Sequence, residues 1–118
     1  MDLNFNKNED HNKLLLSSLR QRLAKVKLGG GQKSIDKQHE KGKMTARERI
    51  NYLLDPKAKS IEIAAFAGED MYEEHGECPS GGVVIKIGYV KGKQCLVVAN
   101  DATVKAGAWF PITAKKNL

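Results

Sequence analysis

The sequence predicts an α/β chain in which a helical arm precedes an incomplete sheet-bearing piece. Three observations predict it. Residues 1 to 59 are charged and glycine-punctuated and carry helical periodicity. Residues 60 to 110 hold most of the β-branched and aromatic side chains in alternating runs. The chain then closes on the opening of a helix with no stop signal. At 118 residues there is room for at most one small domain.

Taken in order, residues 1–11 are polar and are expected to form a disordered N-terminus, and residues 12–59 form the helical arm. From Asn12 onward, Leu16, Leu19, Leu23 and Val26 repeat at three- and four-residue steps. Lys25 and Lys27 occupy the last turn, and Gly29-Gly30-Gly31 is the stop. That apolar seam has to pack on the chain's own body or on a neighbouring subunit; a membrane-surface helix is disfavoured by the lack of aromatic anchors. A short helix over Ser34 to Lys41 ends at Gly42. A third carries a capping box, with Thr45 as N-cap, Glu48 reaching back, and Ile50, Leu53 and Leu54 as the apolar face before Asp55-Pro56.

Residues 60–118 change period. Ser60 to Ala64 alternates as a short strand, and residues 67 to 82 form a loop rich in acid and glycine. Val83, Ile85, Ile87 and Tyr89 mark a strand, Lys91-Gly92-Lys93 a tight turn, and Gln94 to Ala99 a nearly continuous apolar run, as expected for a strand covered on both faces. After a loop through Lys105 to Phe110, Pro111 opens a helix that includes Lys115 and Lys116. The missing helix stop predicts that the natural protein continues past Leu118.

The net charge of +6 and pI near 9.4 favour an anionic partner. No apolar run is long enough to span a membrane. Cys78 and Cys95 are preceded by no secretory signal, so the expectation is a cytoplasmic chain without membrane contact. GGGQKS at Gly29 to Ser34 is not a phosphate loop, because Gln32 separates the last glycine from Lys33 and no strand precedes it. His75 and Cys78 lack the further ligands a metal needs, so no metal site is expected. Glu69, Asp70, Glu73, Glu74 and Glu77 read as a solvated acidic face, and no acid/base or nucleophile constellation is present. The basic cluster KQHEKGKMTARER at Lys37 to Arg49 is interrupted by Glu40 and Glu48 and offers no stacking aromatic. A small anion suits it better than nucleic acid, with Lys43 just before a helix N-terminus and Arg47 in its first turn as candidate phosphate contacts.

These residues resemble the carboxyltransferase (β) subunits of biotin-dependent acyl-CoA carboxylases. The resemblance is carried by KGKMTARERINYLLD at Lys41 to Asp55, FAGEDMY at Phe66 to Tyr72, SGGVVIKIGYVKGKQCLVVANDATVKAGAWFP at Ser80 to Pro111, and the following ITAKK. It covers Leu14 to Leu118 and only the amino-terminal part of a family member. ANDATVKAGAWFP followed by TAKK is most similar to the methylcrotonoyl-CoA branch, with propionyl-CoA enzymes as the neighbouring possibility. The resemblance implies the start of a crotonase-like superhelix of ββα units. It also implies a homo-oligomer whose active site lies between the amino-terminal domain of one subunit and the carboxy-terminal domain of another.

The implied reaction is transfer of a carboxyl group from carboxybiotin, carried on a partner subunit or domain with biotin carboxylase, to an acyl-CoA. Backbone N–H groups hold the enolates. The glycine pairs expected to supply those groups lie beyond Leu118, so these residues hold no catalytic group and the isolated piece is expected to be inactive. The implied role of Asn100 to Phe110 is to lie along CoA, with Lys105, Ala106, Gly107 and Ala108 as contacts, while Asn100 and Asp101 shape the turn. The competing expectation is a small basic non-enzymatic module that binds nucleic acid or a partner helix. A sheet cut short also predicts self-association through uncovered apolar surface.

Overall fold

A computed structural model describes residues 2–118. The chain runs α1 (Leu3–Lys27), α2 (Gln32–Glu40), α3 (Ala46–Leu53), β1 (Ile61–Ile63), β2 (Val83–Val90), β3 (Lys93–Asn100) and α4 (Pro111–Asn117), with short 3₁₀ turns at Glu73–His75, Pro79–Gly82 and Lys105–Gly107.

α1 starts nine residues earlier than the periodicity from Asn12 suggests, so most of the stretch expected to be disordered is helical. The Asp2 side chain accepts the Asn4 N–H at 2.9 Å and supplies the missing N-cap. α2 and α3 fall where expected. The capping box is complete: Thr45 N–H donates to Glu48 Oε2 at 2.7 Å and Glu48 N–H donates to Thr45 Oγ1 at 3.3 Å.

The sheet is antiparallel with order β1-β2-β3, so β2 is central. One face of it is the core. Ala46, Ile50 and Leu54 from α3 pack on Val84, with Val90, Val97 and Ala99 partly buried around them. Gly88 belongs to this packing, since a Cβ there would stand 2.8 Å from a Leu54 methyl. The hairpin turn is anchored from below: Asp55 accepts the Lys91 and Gly92 N–H groups at 2.8 Å each, and both turn residues have positive φ. Asp55 therefore ends α3 and also fixes the register of β2 and β3.

Two expectations are corrected. β3 is an edge strand covered on one face only, and the strand buried most deeply is β2. The continuous apolar run of β3 makes both of its faces apolar, but Leu96 and Val98 project from the face opposite α3. They lie in register with Ile87 and Ile85, and with Ile61 and Ile63 on β1. Leu96 is 62% exposed and Ile61 69%. Leu53, expected on the buried face of α3, is also exposed, leaving Ile50 and Leu54 to make the contact.

α4 begins at Pro111 as expected. It is tied to the strand-entry turn by buried Thr113, whose hydroxyl donates to Gly81 O at 2.6 Å and accepts the Phe110 N–H at 3.1 Å. Lys116 adds two further bonds, from Nζ to Ser80 O at 2.8 Å and to Val83 O at 2.7 Å.

Candidate functional site

The main cleft, about 670 Å³, lies where the end of α1, the Gly29–Gly31 turn, the acidic loop and the loop after β3 converge. Its closest approach is between the arm and the β3 loop. Buried Asp101 forms the turn expected of it: Oδ1 accepts the Thr103 N–H at 2.9 Å and the Thr103 hydroxyl at 2.6 Å. The same hydroxyl accepts the Gly30 N–H at 3.0 Å, completing a relay from Gly30 through Thr103 to Asp101. Gly30 is a necessity here, because a Cβ at that position would sit 1.7 Å from Thr103 O. The three-glycine segment is thus a packed joint as well as a helix stop.

The opposite wall is the acidic loop. Glu69 and Glu77 are not simply solvated, because α1 supplies their counter-ions. Arg22 makes two hydrogen bonds to Glu69, one of them from Nε to Oε1 at 3.0 Å, and Lys25 Nζ reaches Glu77 Oε1 at 2.8 Å. The Arg22 guanidinium also lies over the Phe66 ring, 5.2 Å from its centroid. The hydrogen bond from Arg22 holds the Glu69 carboxyl below its ordinary range. Both pairs lie at the surface, where water screens them, and their effect is to hold the arm against the loop.

The floor contains Cys78, a buried free thiol pushed up from its ordinary value by burial. Lys105 and Ala106 line the cleft from the β3 side, on a turn in which Lys105, Ala106 and Gly107 all have positive φ, at 47°, 56° and 85°. Two consecutive non-glycine residues in the left-handed region are costly, about 1–2 kcal/mol each. Lys105 extends over Gly76, whose missing side chain leaves room for its ammonium group. Gly107 and Ala108 follow on the same turn but outside the cleft lining.

The other two predicted contacts lie elsewhere. Lys43 is exposed in the connection between α2 and α3. Arg47 is largely buried, donating to Glu62 Oε2 at 2.6 Å and to Ser80 Oγ at 3.1 Å, while Ser80 Oγ donates to Ala65 O at 3.0 Å. Its charge is already matched inside the fold, so it joins α3 to β1 and to the Ser80 turn. Burial pushes neighbouring Lys116 down to about 8, opposed by Glu62 and reinforced by Arg47.

Sequence reasoning missed Arg22, Lys25 and Thr103. The first two were detectable as a basic helix end facing an acidic loop of matching charge, but Thr103 carried no signal until its contact with Gly30 was seen. Among the described residues no three potential metal ligands cluster, and His75 is exposed.

Residues 37–118 match the carboxyl transferase domain family. The chain is 50% identical over 104 residues to a probable mitochondrial methylcrotonoyl-CoA carboxylase beta chain of Drosophila melanogaster, covering 88% of this chain and 18% of that relative. Its structure is similar to the beta subunit of P. aeruginosa geranyl-CoA carboxylase, with TM-score 0.80, 31% identity, and coverage of 98% of this chain and 22% of the other. It is also similar to the transcarboxylase 12S hexamer with methylmalonyl-coenzyme A bound, with TM-score 0.72, 33% identity, and coverage of 79% of this chain and 18% of the other. The chain thus spans about a fifth of the length of the relatives it matches.

Proposed function

The chain belongs to the carboxyl transferase domain family, and from that premise we propose that it forms the acyl-CoA side of a carboxyltransferase moving a carboxyl group from carboxybiotin to an acyl-CoA. Methylcrotonoyl-CoA is the first choice of substrate and propionyl-CoA the second. The observation that carries the reading is the cleft bordered by the strained Lys105-Ala106 turn, a turn inside the family-matched region, while the α1 and Gly29–Gly31 wall precedes that region. Its size suits an extended thioester. Lys105 supplies a cation for a phosphate or for the pantetheine carbonyl, and Ala106, with Gly107 and Ala108 beyond it, lets the ligand approach the main chain. Lys43 belongs to this reading as an exposed outer contact for a CoA phosphate, and Arg47 as a residue that shapes the fold beneath it.

The glycine wall of this cleft is not an oxyanion hole for biotin. The Gly29, Gly30 and Gly31 N–H groups are already bonded to Val26 O, Thr103 Oγ1 and Leu28 O, so the glycine wall has no free donor for a ureido or enolate oxygen. We place biotin on a partner subunit or domain, as for the biotin-dependent relatives. Among the described residues no helix is long and apolar enough to cross a membrane; we place the protein in the cytoplasm, in an oligomer of the full subunit with its biotin-bearing partner.

Calorimetric titration of the chain with CoA, dephospho-CoA and methylcrotonoyl-CoA tests the reading. Lys105→Met is expected to weaken CoA binding about tenfold, the loss of one charged contact, with the fold unchanged. Binding of none of the three, or equal binding by Lys105→Met, refutes it.

A further inference from the structure

The acidic loop closes on itself. The Ser80 hydroxyl donates to Ala65 O at 3.0 Å, and Gly68 lies so close to Cys78 that a Cβ on it would stand 2.3 Å from Cys78 O. A short surface loop with its ends drawn together in this way is an Ω-loop. Within it, the N–H groups of Ala67, Glu69, Met71, His75 and Gly76 each bond to the carbonyl three residues back. These bonds close turns inside the loop, and none of them joins it to a strand or helix. Asp70 and Tyr72 have left-handed backbones, with φ of 56° and 61°. Non-glycine residues persist there only where surrounding contacts impose the conformation.

Side chains supply those contacts, on two sides. Towards α4, the half-buried Tyr72 accepts the Ile112 N–H on its hydroxyl at 3.1 Å, and its ring centroid lies 4.8 Å from that of Phe110. Towards α1 the ties are ionic and at the surface: Arg22 on Glu69 and Lys25 on Glu77, with the Arg22 guanidinium over Phe66. All four charged residues line the cleft, so the pairs that hold the loop also set the width of the cleft between them. Each tie joins two residues of this chain. Dissolved ions weaken the α1 side and leave the aromatic α4 side intact, so the two sides release under different conditions.

We propose that residues 66–78 are an ionic strap, which Arg22 and Lys25 hold against α1 and which swings away about its Tyr72 anchor when those pairs are lost. The strap is one wall of the cleft. Its release therefore opens the cleft without unfolding the sheet behind it.

Quenched-flow amide exchange on the full chain, read by mass spectrometry over residues 66–77, tests this. Raising salt from about 0.1 M to about 1 M shortens the screening length from about 10 Å to about 3 Å and is expected to speed exchange in the loop severalfold. At the lower salt, Lys25→Glu sets like charge against Glu77 and is expected to speed it about fivefold. Adding Glu77→Lys to Lys25→Glu restores the pair with its ends exchanged, and exchange is expected to return to within about twofold of the original. Exchange in β2 over residues 84–87 is the control and is expected to stay unchanged throughout. Loop exchange that Lys25→Glu leaves unmoved, or that the exchanged pair fails to slow, overturns the proposal. So does a rise in β2 equal to that in the loop, which would mean loss of the fold. A rise in Tyr72→Phe with none in Lys25→Glu also overturns it, assigning the hold to α4.

Discussion

Replacing Gly30 by alanine isolates the joint between arm and body. Gly30 does not have positive φ, so alanine carries no conformational penalty there; the whole effect is steric. The added Cβ would lie 1.7 Å from Thr103 O and 2.5 Å from Thr103 C. A carbon–oxygen contact settles near about 3.3 Å, so the arm must retreat by roughly 1.6 Å. That retreat breaks the Gly30 N–H to Thr103 Oγ1 bond, about 1 kcal/mol. It also carries the overpacking cost of a displaced backbone, about 1–3 kcal/mol. The sum is about 2–4 kcal/mol. Gly31→Ala is the matched control: it has φ of 92° but no atom within 4 Å, so it reports backbone strain without displacement. Urea denaturation with amide exchange is the assay. Gly30→Ala is expected to lose stability by the stated amount and to lose protection at Thr103 and Val104, whereas Gly31→Ala loses stability with protection there retained. A Gly30→Ala chain within about 0.5 kcal/mol of the original, with its protection intact, would refute the packed joint.

Thr113→Val, nearly isosteric, leaves Gly81 O without its buried donor and is expected to cost about 1–3 kcal/mol in thermal or urea unfolding; an unchanged midpoint counts against the α4 anchor. Lys116 titrates near 8 when folded and near 10.5 when unfolded, so between those values the unfolded chain holds more protons and stability rises with pH. After discounting for its partial exposure this amounts to about 1–2 kcal/mol, visible as a slope in unfolding free energy from pH 7 to 10 that Lys116→Met lacks; equal slopes in the two proteins defeat it.

Local rules carried much of the fold. The capping box at Thr45 and Glu48, the Pro111 start, the Lys91-Gly92 turn and the alternation of Val83 to Tyr89 each depend on neighbours within a few residues, and each was legible. The misses have one physical origin: they depend on what a side chain meets far along the chain. The apolar run of β3 declares that both faces want cover, yet α3 covers only one. Arg47 reads as a free cation at a helix start, and only the arrival of Glu62 from β1 turns it inward. Asp2 looks like part of a polar tail, but its side chain extends α1 to Leu3. Around the cleft, the loop through Lys105 and Ala106 was legible from its small residues, while the relay through Thr103 was not, since it joins residues 73 apart.

The way hydrogen bonds are spent around the cleft constrains what this segment does. The amides of Gly29, Gly30 and Gly31 are all bonded internally, and the Gly107 N–H is taken by Val104 O. A wall built from glycines with no spare donor provides shape without electrostatic stabilisation, since an oxyanion needs N–H groups that are preorganised and unoccupied. The strain sits on the same side of the cleft, at Lys105 and Ala106, where the β3 loop turns left-handed beneath the tie between Asp101 and Gly30. Releasing that tie should relax the turn and widen the cleft together, because Thr103 bonds to both sides. On this reasoning the arm acts as a structural wall of the cleft: under the proposed acyl-CoA reading, a substitution that detaches it, such as Gly30→Ala, should lower CoA affinity although residue 30 offers the ligand no free donor.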